Sequence, residues 1–217
     1  QASELQNVFG EAARAWSYGG GFQGVFPVKC CHDLNLLLSL VAHGADDGFG
    51  LEAGSKPELL LALAVMRKAA SLRPPPPSRR STDDVAPDVA AVVVAPLLIC
   101  NGYKDDEYIR LAVEASSRMN VRTVVVLEKP SEVTAVVSAI NELPRGARRP
   151  HLGIRARLGT THDGQWGATS GDDAKFGLGA REVLWAVQTL EDENVLDCLR
   201  LLHFHVGSQV SDIATIK

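Results

Sequence analysis

The sequence predicts an α/β protein whose strands run parallel. Three observations lead there. Short apolar runs alternate strictly with amphipathic stretches of helical period, as in a parallel sheet with helical crossovers. The strand runs are apolar throughout, which suits strands covered on both faces. Each run also ends in a polar or charged residue, and a closed parallel barrel collects its chemistry at those ends. Six strands and five helices can be read along the 217 residues. A complete eight-fold barrel takes ~250 residues, so about six of its eight units are expected. An open doubly wound sheet shares the alternation, but no Gly-x-Gly-x-x-Gly follows the first strand.

The first strand is expected at 23–28. Asp33 then caps a helix through His43, with Leu34, Leu37, Leu38 and Val41 on one face and Gly44 past its end. A short strand at 48–52 leads to Ser55-Lys56-Pro57-Glu58, which reads as a capping box. The helix it opens runs to about Ala70. Residues 71–88, with four consecutive prolines from Pro74 to Pro77, can be neither helix nor inner strand and read as a disordered surface insertion. The alternation resumes beyond it, so residues 1–217 are read as one incomplete barrel domain. There follow a strand at 90–100, made irregular by Pro96, a helix at 105–119, a strand at 121–127 and a helix at 131–143. A strand at 151–158, a Gly-rich loop at 159–174, a helix at 180–193 and a strand at 198–206 complete the series.

Bulk properties narrow the function. The net charge of −4 offers no electrostatic footprint for nucleic acid or for an anionic membrane surface, and no apolar run reaches the length of a membrane span. The four cysteines, Cys30, Cys31, Cys100 and Cys198, lack Cys-x-x-Cys spacing and are too few for a disulfide scaffold, which suits a reducing compartment. The chain opens on Gln1, without a starting Met, and ends at Lys217 without a closing element, so a piece of a longer protein is expected.

The strand ends carry the chemistry. They are Lys29, Glu52, Cys100-Asn101, Glu128, Arg155 with Arg157, and His203 with His205 followed by Gly207-Ser208-Gln209. Residues two apart share a strand face. A lysine in a barrel mouth can have its amine tuned for Schiff-base formation, although a surface lysine with a snorkelling stem gives the same local sequence. His203 reads as a satisfied core histidine. Paired with His205 it could instead hold zinc, as in barrel hydrolases, but no further ligand cluster completes a shell.

Three stretches resemble the biosynthetic arginine decarboxylases of plants and bacteria. They are Phe26-Pro27-Val28-Lys29-Cys30, Gly50-Leu51-Glu52-Ala53-Gly54-Ser55-Lys56-Pro57-Glu58-Leu59 and Leu202-His203-Phe204-His205-Val206-Gly207-Ser208-Gln209. Ile99-Cys100-Asn101-Gly102-Tyr103-Lys104-Asp105 and the loop from Thr161 to Leu178 add to the likeness, which covers nearly the whole chain. The loop, through Trp166-Gly167-Ala168-Thr169-Ser170-Gly171 and Lys175-Phe176-Gly177-Leu178, is more similar to arginine than to ornithine or diaminopimelate decarboxylases. The proline-rich insertion has a plant-like tone.

The resemblance implies a partial (β/α)8 TIM barrel of the alanine-racemase-like pyridoxal phosphate class. It also implies decarboxylation of L-arginine to agmatine and carbon dioxide in polyamine synthesis. Lys29 matches the lysine that carries pyridoxal 5'-phosphate as a Schiff base, and His205 the histidine that stacks on its ring. Ser208, with the backbone at Gly207, matches the phosphate-binding serine, while Glu52 and Arg155 match polar residues near the ring. Lys56 and Asn101 receive no role. Mg2+ is implied besides the pyridoxal group, with no metal ligand assigned in this chain. A homo-oligomer with a shared site is implied, in an intracellular setting, cytoplasmic or plastid, without nucleic-acid or membrane partners. Relatives commonly read Lys-Cys-Asn where this chain has Lys29-Cys30-Cys31, and a basic residue where it has Gly159. The family's glycine-rich phosphate loop, second domain and active-site cysteine and tyrosine are expected beyond Lys217, so the 217 residues alone are expected to be inactive. The alternatives are an ornithine or diaminopimelate decarboxylase, a non-catalytic regulatory homologue, and a metal-dependent barrel hydrolase.

Overall fold

The computed structural model describes residues 2–43, 48–72, 95–158 and 176–205. Six strands form one sheet: β1 (Val25–Pro27), β2 (Gly50–Ala53), β3 (Leu97–Cys100), β4 (Arg122–Leu127), β5 (His151–Arg155) and β6 (Leu199–His203). They lie side by side in chain order, and every neighbouring pair is parallel. A doubly wound sheet reverses its order at a switch point and carries helices on both faces. Here the order never reverses, so the crossovers all advance the same way and the sheet is an arc of a (β/α)8 barrel.

The crossover helices are α2 (Leu34–His43), α3 (Lys56–Leu72), α4 (Asp106–Arg118), α5 (Pro130–Asn141) and α6 (Ala180–Asp192). A sixth, α1 (Ala2–Ala15), occupies residues to which the sequence reading assigned no element; its Ala- and Glu-containing sequence has high helix propensity. Strand alternation separates two apolar clusters. Leu51, Ala53, Leu98, Cys100, Val125, Leu127, Leu152 and Ile154 join the buried helix residues in the main core. Leu97, Ile99, Val124 and Val126, with Val25 and Leu201 packed against them, form a smaller cluster on the opposite, inner face.

Most expected elements are present, with shifted bounds. β1 is shorter than 23–28, because Val28–Cys30 turn into a 3-10 helix. Leu37 and Val41 are buried on α2, but Leu34 is half exposed: it sits in the first turn, before the helix meets the sheet. α3 continues to Leu72, so the first two residues of the expected insertion are helical. The rest of that insertion, Gly44 and the whole 159–174 loop lie outside the described residues.

Carboxylates fasten the junctions that lead into the helices. Asp33 accepts from the Leu36 N–H (2.9 Å) and Asp105 from the Tyr108 N–H (2.8 Å). Glu58, Glu132 and Glu182 stand at the third helical position of α3, α5 and α6 and reach back to the N–H of Gly54, Glu128 and Gly179, each at 2.8 Å. The expected capping box at Ser55 is thus displaced by one residue at its acidic end, onto Gly54. Backbone crowding fixes one further turn. Gly102 has φ +75°, and a Cβ there would collide with the Gly54 carbonyl, so only glycine suits the site.

Candidate active site

A cavity of about 760 Å3 opens on the inner face at the C-terminal ends of the strands. Val25, Leu97, Ile99 and Leu201 of the inner cluster form its apolar floor, and Lys29, Glu52, Asn101, Arg155, His203 and His205 its polar wall. The period of two explains the grouping. In β1, β3 and β6 the inward row is Val25 and Pro27, Leu97 and Ile99, and Leu201 and His203, and the polar residues Lys29, Asn101 and His205 follow just past the three strand ends. Arg155 and His203 are register partners on β5 and β6.

Several sequence assignments change. Lys29 is on the 3-10 turn after β1, where it is exposed at the cavity rather than on the strand itself. Cys100 faces the other way: it is fully buried among the helices, and burial pushes its thiol up to about 12. Arg157 does not line the cavity, because its guanidinium donates to the Gly177 carbonyl at 2.8 Å. Lys56, given no role from the sequence, pairs with Asp105 (2.8 Å) and Glu107 (2.5 Å) and joins α3 to α4. Glu128 is buried and leaves the lining, its carboxylate held by Arg155 and by the Gly102 N–H. Gly207 and Ser208 lie outside the described residues.

Burial governs the electrostatics of the wall. It raises the Glu52 carboxyl above its ordinary range, against the opposing pull of an Asn101 hydrogen bond (3.1 Å) and of Lys29. It lowers both His203 and His205, and the Arg155 guanidinium lowers them further. Three polar atoms on this wall are buried without a hydrogen-bond partner: Glu52 Oε2, Asn101 Oδ1 and His203 Nδ1. Unsatisfied buried groups are costly unless a ligand or water completes them.

The comparisons with known proteins bear on what that ligand is. Residues 85–217 match the family described as "Pyridoxal-dependent decarboxylase, pyridoxal binding domain". The chain belongs to this family. Among its curated relatives are arginine decarboxylase 1 of rice, 44% identical over 212 residues, and chloroplastic arginine decarboxylase 1A of tobacco, 41% identical over 212 residues. Each match takes in 98% of this chain, but only 26% of the rice protein and 25% of the tobacco protein. The chain therefore spans about a quarter of the length of these relatives. The crystal structure of the biosynthetic arginine decarboxylase of Campylobacter jejuni aligns with a TM-score of 0.74 and 27% identity, over 99% of this chain and 29% of that one.

The cavity of this pyridoxal-dependent decarboxylase domain fits the group its family is named for. It combines an accessible amine, a guanidinium, a flat imidazole and a carboxyl oxygen that is buried without a hydrogen-bond donor, over an apolar floor. That donor set suits a planar, polar-edged ring. Among the described residues there is no group of three or more His, Cys, Asp or Glu able to hold a metal.

Sequence reasoning missed the support behind this wall. Lys104 and Glu132 form a buried ion pair at 3.0 Å, with both side chains fully enclosed. The Lys129 amine lies 4.0 Å over the Tyr103 ring, Tyr103 packs on Phe176 at 4.5 Å, and the Arg155 guanidinium caps Phe176 at 5.4 Å. One signal was readable: Glu132 has the same third-position spacing as Glu58, four residues after the residue whose N–H it receives.

Proposed function

We propose that the protein containing this chain decarboxylates L-arginine to agmatine and carbon dioxide, with pyridoxal phosphate as cofactor, in the synthesis of polyamines. The observation that carries the reading is the convergence of Lys29, Glu52, Arg155, His203 and His205 on one cavity, in a chain 44% identical to the rice arginine decarboxylase over 212 residues. When bound, pyridoxal phosphate supplies an electron sink for the pair of electrons left as carbon dioxide departs.

The chain's own residues have separate tasks. Lys29 anchors the cofactor through its exposed amine until the substrate amine displaces it. His205 offers a flat face that sets the tilt of a planar ring. Glu52 and Arg155 address the polar edge of the ring, and Gly207-Ser208 receive the phosphate. Mg2+ is assigned no ligand in this proposal. A homo-oligomer with the site shared between subunits belongs to the same reading, as does a cytoplasmic or plastid location, the latter in line with the chloroplastic tobacco relative.

The test uses the full-length protein. Borohydride reduction is expected to leave a pyridoxyl group on the peptide carrying Lys29, and Lys29→Ala to lower arginine decarboxylation on the order of a thousandfold or more. A Lys29→Ala protein at full rate would falsify the assignment. Faster turnover of ornithine or diaminopimelate would replace the substrate. Bound cofactor without turnover of any of the three would make the protein a regulatory homologue.

A further inference from the structure

Glu128 follows β4 directly and does not itself line the cavity, yet four of its atoms tie together lining residues and their supports. Oε2 accepts from Arg155 Nη1 at 2.9 Å, and Oε1 accepts from the Gly102 N–H at 2.6 Å. Its own N–H donates to Glu132 Oε2 at 2.8 Å, and its carbonyl accepts from the Gly177 N–H at 3.3 Å. Glu132 is itself locked: Lys104 reaches it through both its ammonium and its backbone N–H, each at 3.0 Å. The Glu128 carboxylate thus joins Arg155 to the turn after β3, while its backbone is tied to Glu132 and to the segment that carries Phe176.

This arrangement is poorly explained as a device for stability. A buried ion pair contributes little net free energy, because desolvation offsets the attraction. What it does provide is geometry. An arginine side chain has many rotamers, and one that reaches a cavity from a strand end would otherwise extend toward water. Here the Arg155 side chain is only 13% exposed, with its guanidinium pinned between Glu128 and the Phe176 ring. Its orientation at the cavity wall is set before any ligand arrives.

We propose that Glu128 is a positioning residue of the cofactor site: it holds the Arg155 guanidinium in the orientation that meets the pyridoxal ring, and so acts on cofactor binding through Arg155. The inference rests on the cofactor reading above and extends it to a residue outside the cavity.

The experiment is a double-mutant cycle in the full-length protein. Wild type, Glu128→Gln, Arg155→Met and the double variant are stripped of cofactor and titrated with pyridoxal phosphate, with affinity and the pH titration of the bound absorbance band as readouts. Glu128→Gln keeps size and an acceptor for Gly102 while removing the charge. It is expected to weaken binding on the order of ten- to hundredfold and to shift the band's pH titration. In the Arg155→Met background the same change is expected to have no further effect. Should Glu128→Gln fail to fold, Glu128→Asp, which keeps the charge but withdraws it by one methylene, carries the same comparison. Equal losses in both backgrounds, or unaltered affinity and spectrum in Glu128→Gln, overturn the proposal and leave the cofactor reading intact. Wild-type protein that takes up no pyridoxal phosphate overturns the cofactor reading, and this inference with it. Preference for a substrate other than arginine affects neither.

Discussion

Cys100 and Asn101 are chain neighbours that the end of β3 sends in opposite directions. Asn101 turns inward, and its amide donates to Glu52 at 3.1 Å. Cys100 turns outward into the helix layer, where it lies fully buried close to Tyr108. Burial pushes the Cys100 thiol up to about 12, so its thiolate is scarce at neutral pH. Cys30, beside Lys29, is exposed. Brief treatment of the native protein with iodoacetamide is expected to label Cys30 and leave Cys100 untouched, as read by mass spectrometry of the peptides. Labelling of Cys100 ahead of Cys30 would contradict the placement of this strand. The choice between the two neighbours was open in the sequence, because a period of two becomes readable only once one residue of the strand has a known face.

At the scale of elements, the junctions above the sheet are ordered by glutamates at the third helical position rather than by hydroxyl caps. Glu132 is the most heavily used of them. It accepts from the Glu128 N–H and the Lys104 N–H and neutralises the Lys104 ammonium inside the protein. Removing one partner of a buried pair leaves an uncompensated charge, so Glu132→Ala is expected to lower stability by about 3–5 kcal/mol in urea denaturation. The double variant Lys104→Met with Glu132→Leu is expected to recover only part of that loss. It removes the stranded charge but leaves two buried N–H groups without an acceptor. Full recovery would mean that the ion pair, and not the backbone clamp, is what Glu132 contributes.

At the scale of the whole molecule, three histidines couple folding to pH. Burial lowers His151, His203 and His205, assisted by Arg122 at the first and Arg155 at the other two. Their folded-state values lie below the ordinary histidine value of about 6.5, so on acidification the unfolded chain takes up protons first. Their contribution to stability is intact above about pH 6.5 and falls as the pH drops from there toward the depressed values. Glu52 acts in the opposite sense. Burial raises its carboxyl above 4.5, so its ionisation opposes folding as the pH climbs through that raised value. In a cofactor-free Glu52→Gln background, the urea midpoint is expected to drop between about pH 7.5 and about pH 5.5, and adding His203→Asn is expected to flatten the drop. A midpoint that stays level over that range without the His203 change would show that the fold does not desolvate these imidazoles as described.

The alternation of strands and helices, the helix starts at Asp33 and Asp105, and the residues at the strand ends were legible in the sequence because each depends on local periodicity and capping. So was the likeness to arginine decarboxylases, which resides in contiguous motifs around Lys29, Glu52 and His205. Periodicity alone could not choose between an open sheet and a barrel, since both satisfy the same alternation. That choice came with the strand order, which runs β1 to β6 without reversal. Nor could local pattern separate Arg155, which lines the cavity, from Arg157, which turns to the Gly177 carbonyl. The Lys104–Glu132 pair and the clamp of Glu128 on Arg155 join residues 28 and 27 positions apart. Such contacts exist only once the sheet has brought neighbouring strand ends together, and burial then gives them their strength by removing the water that would otherwise compete.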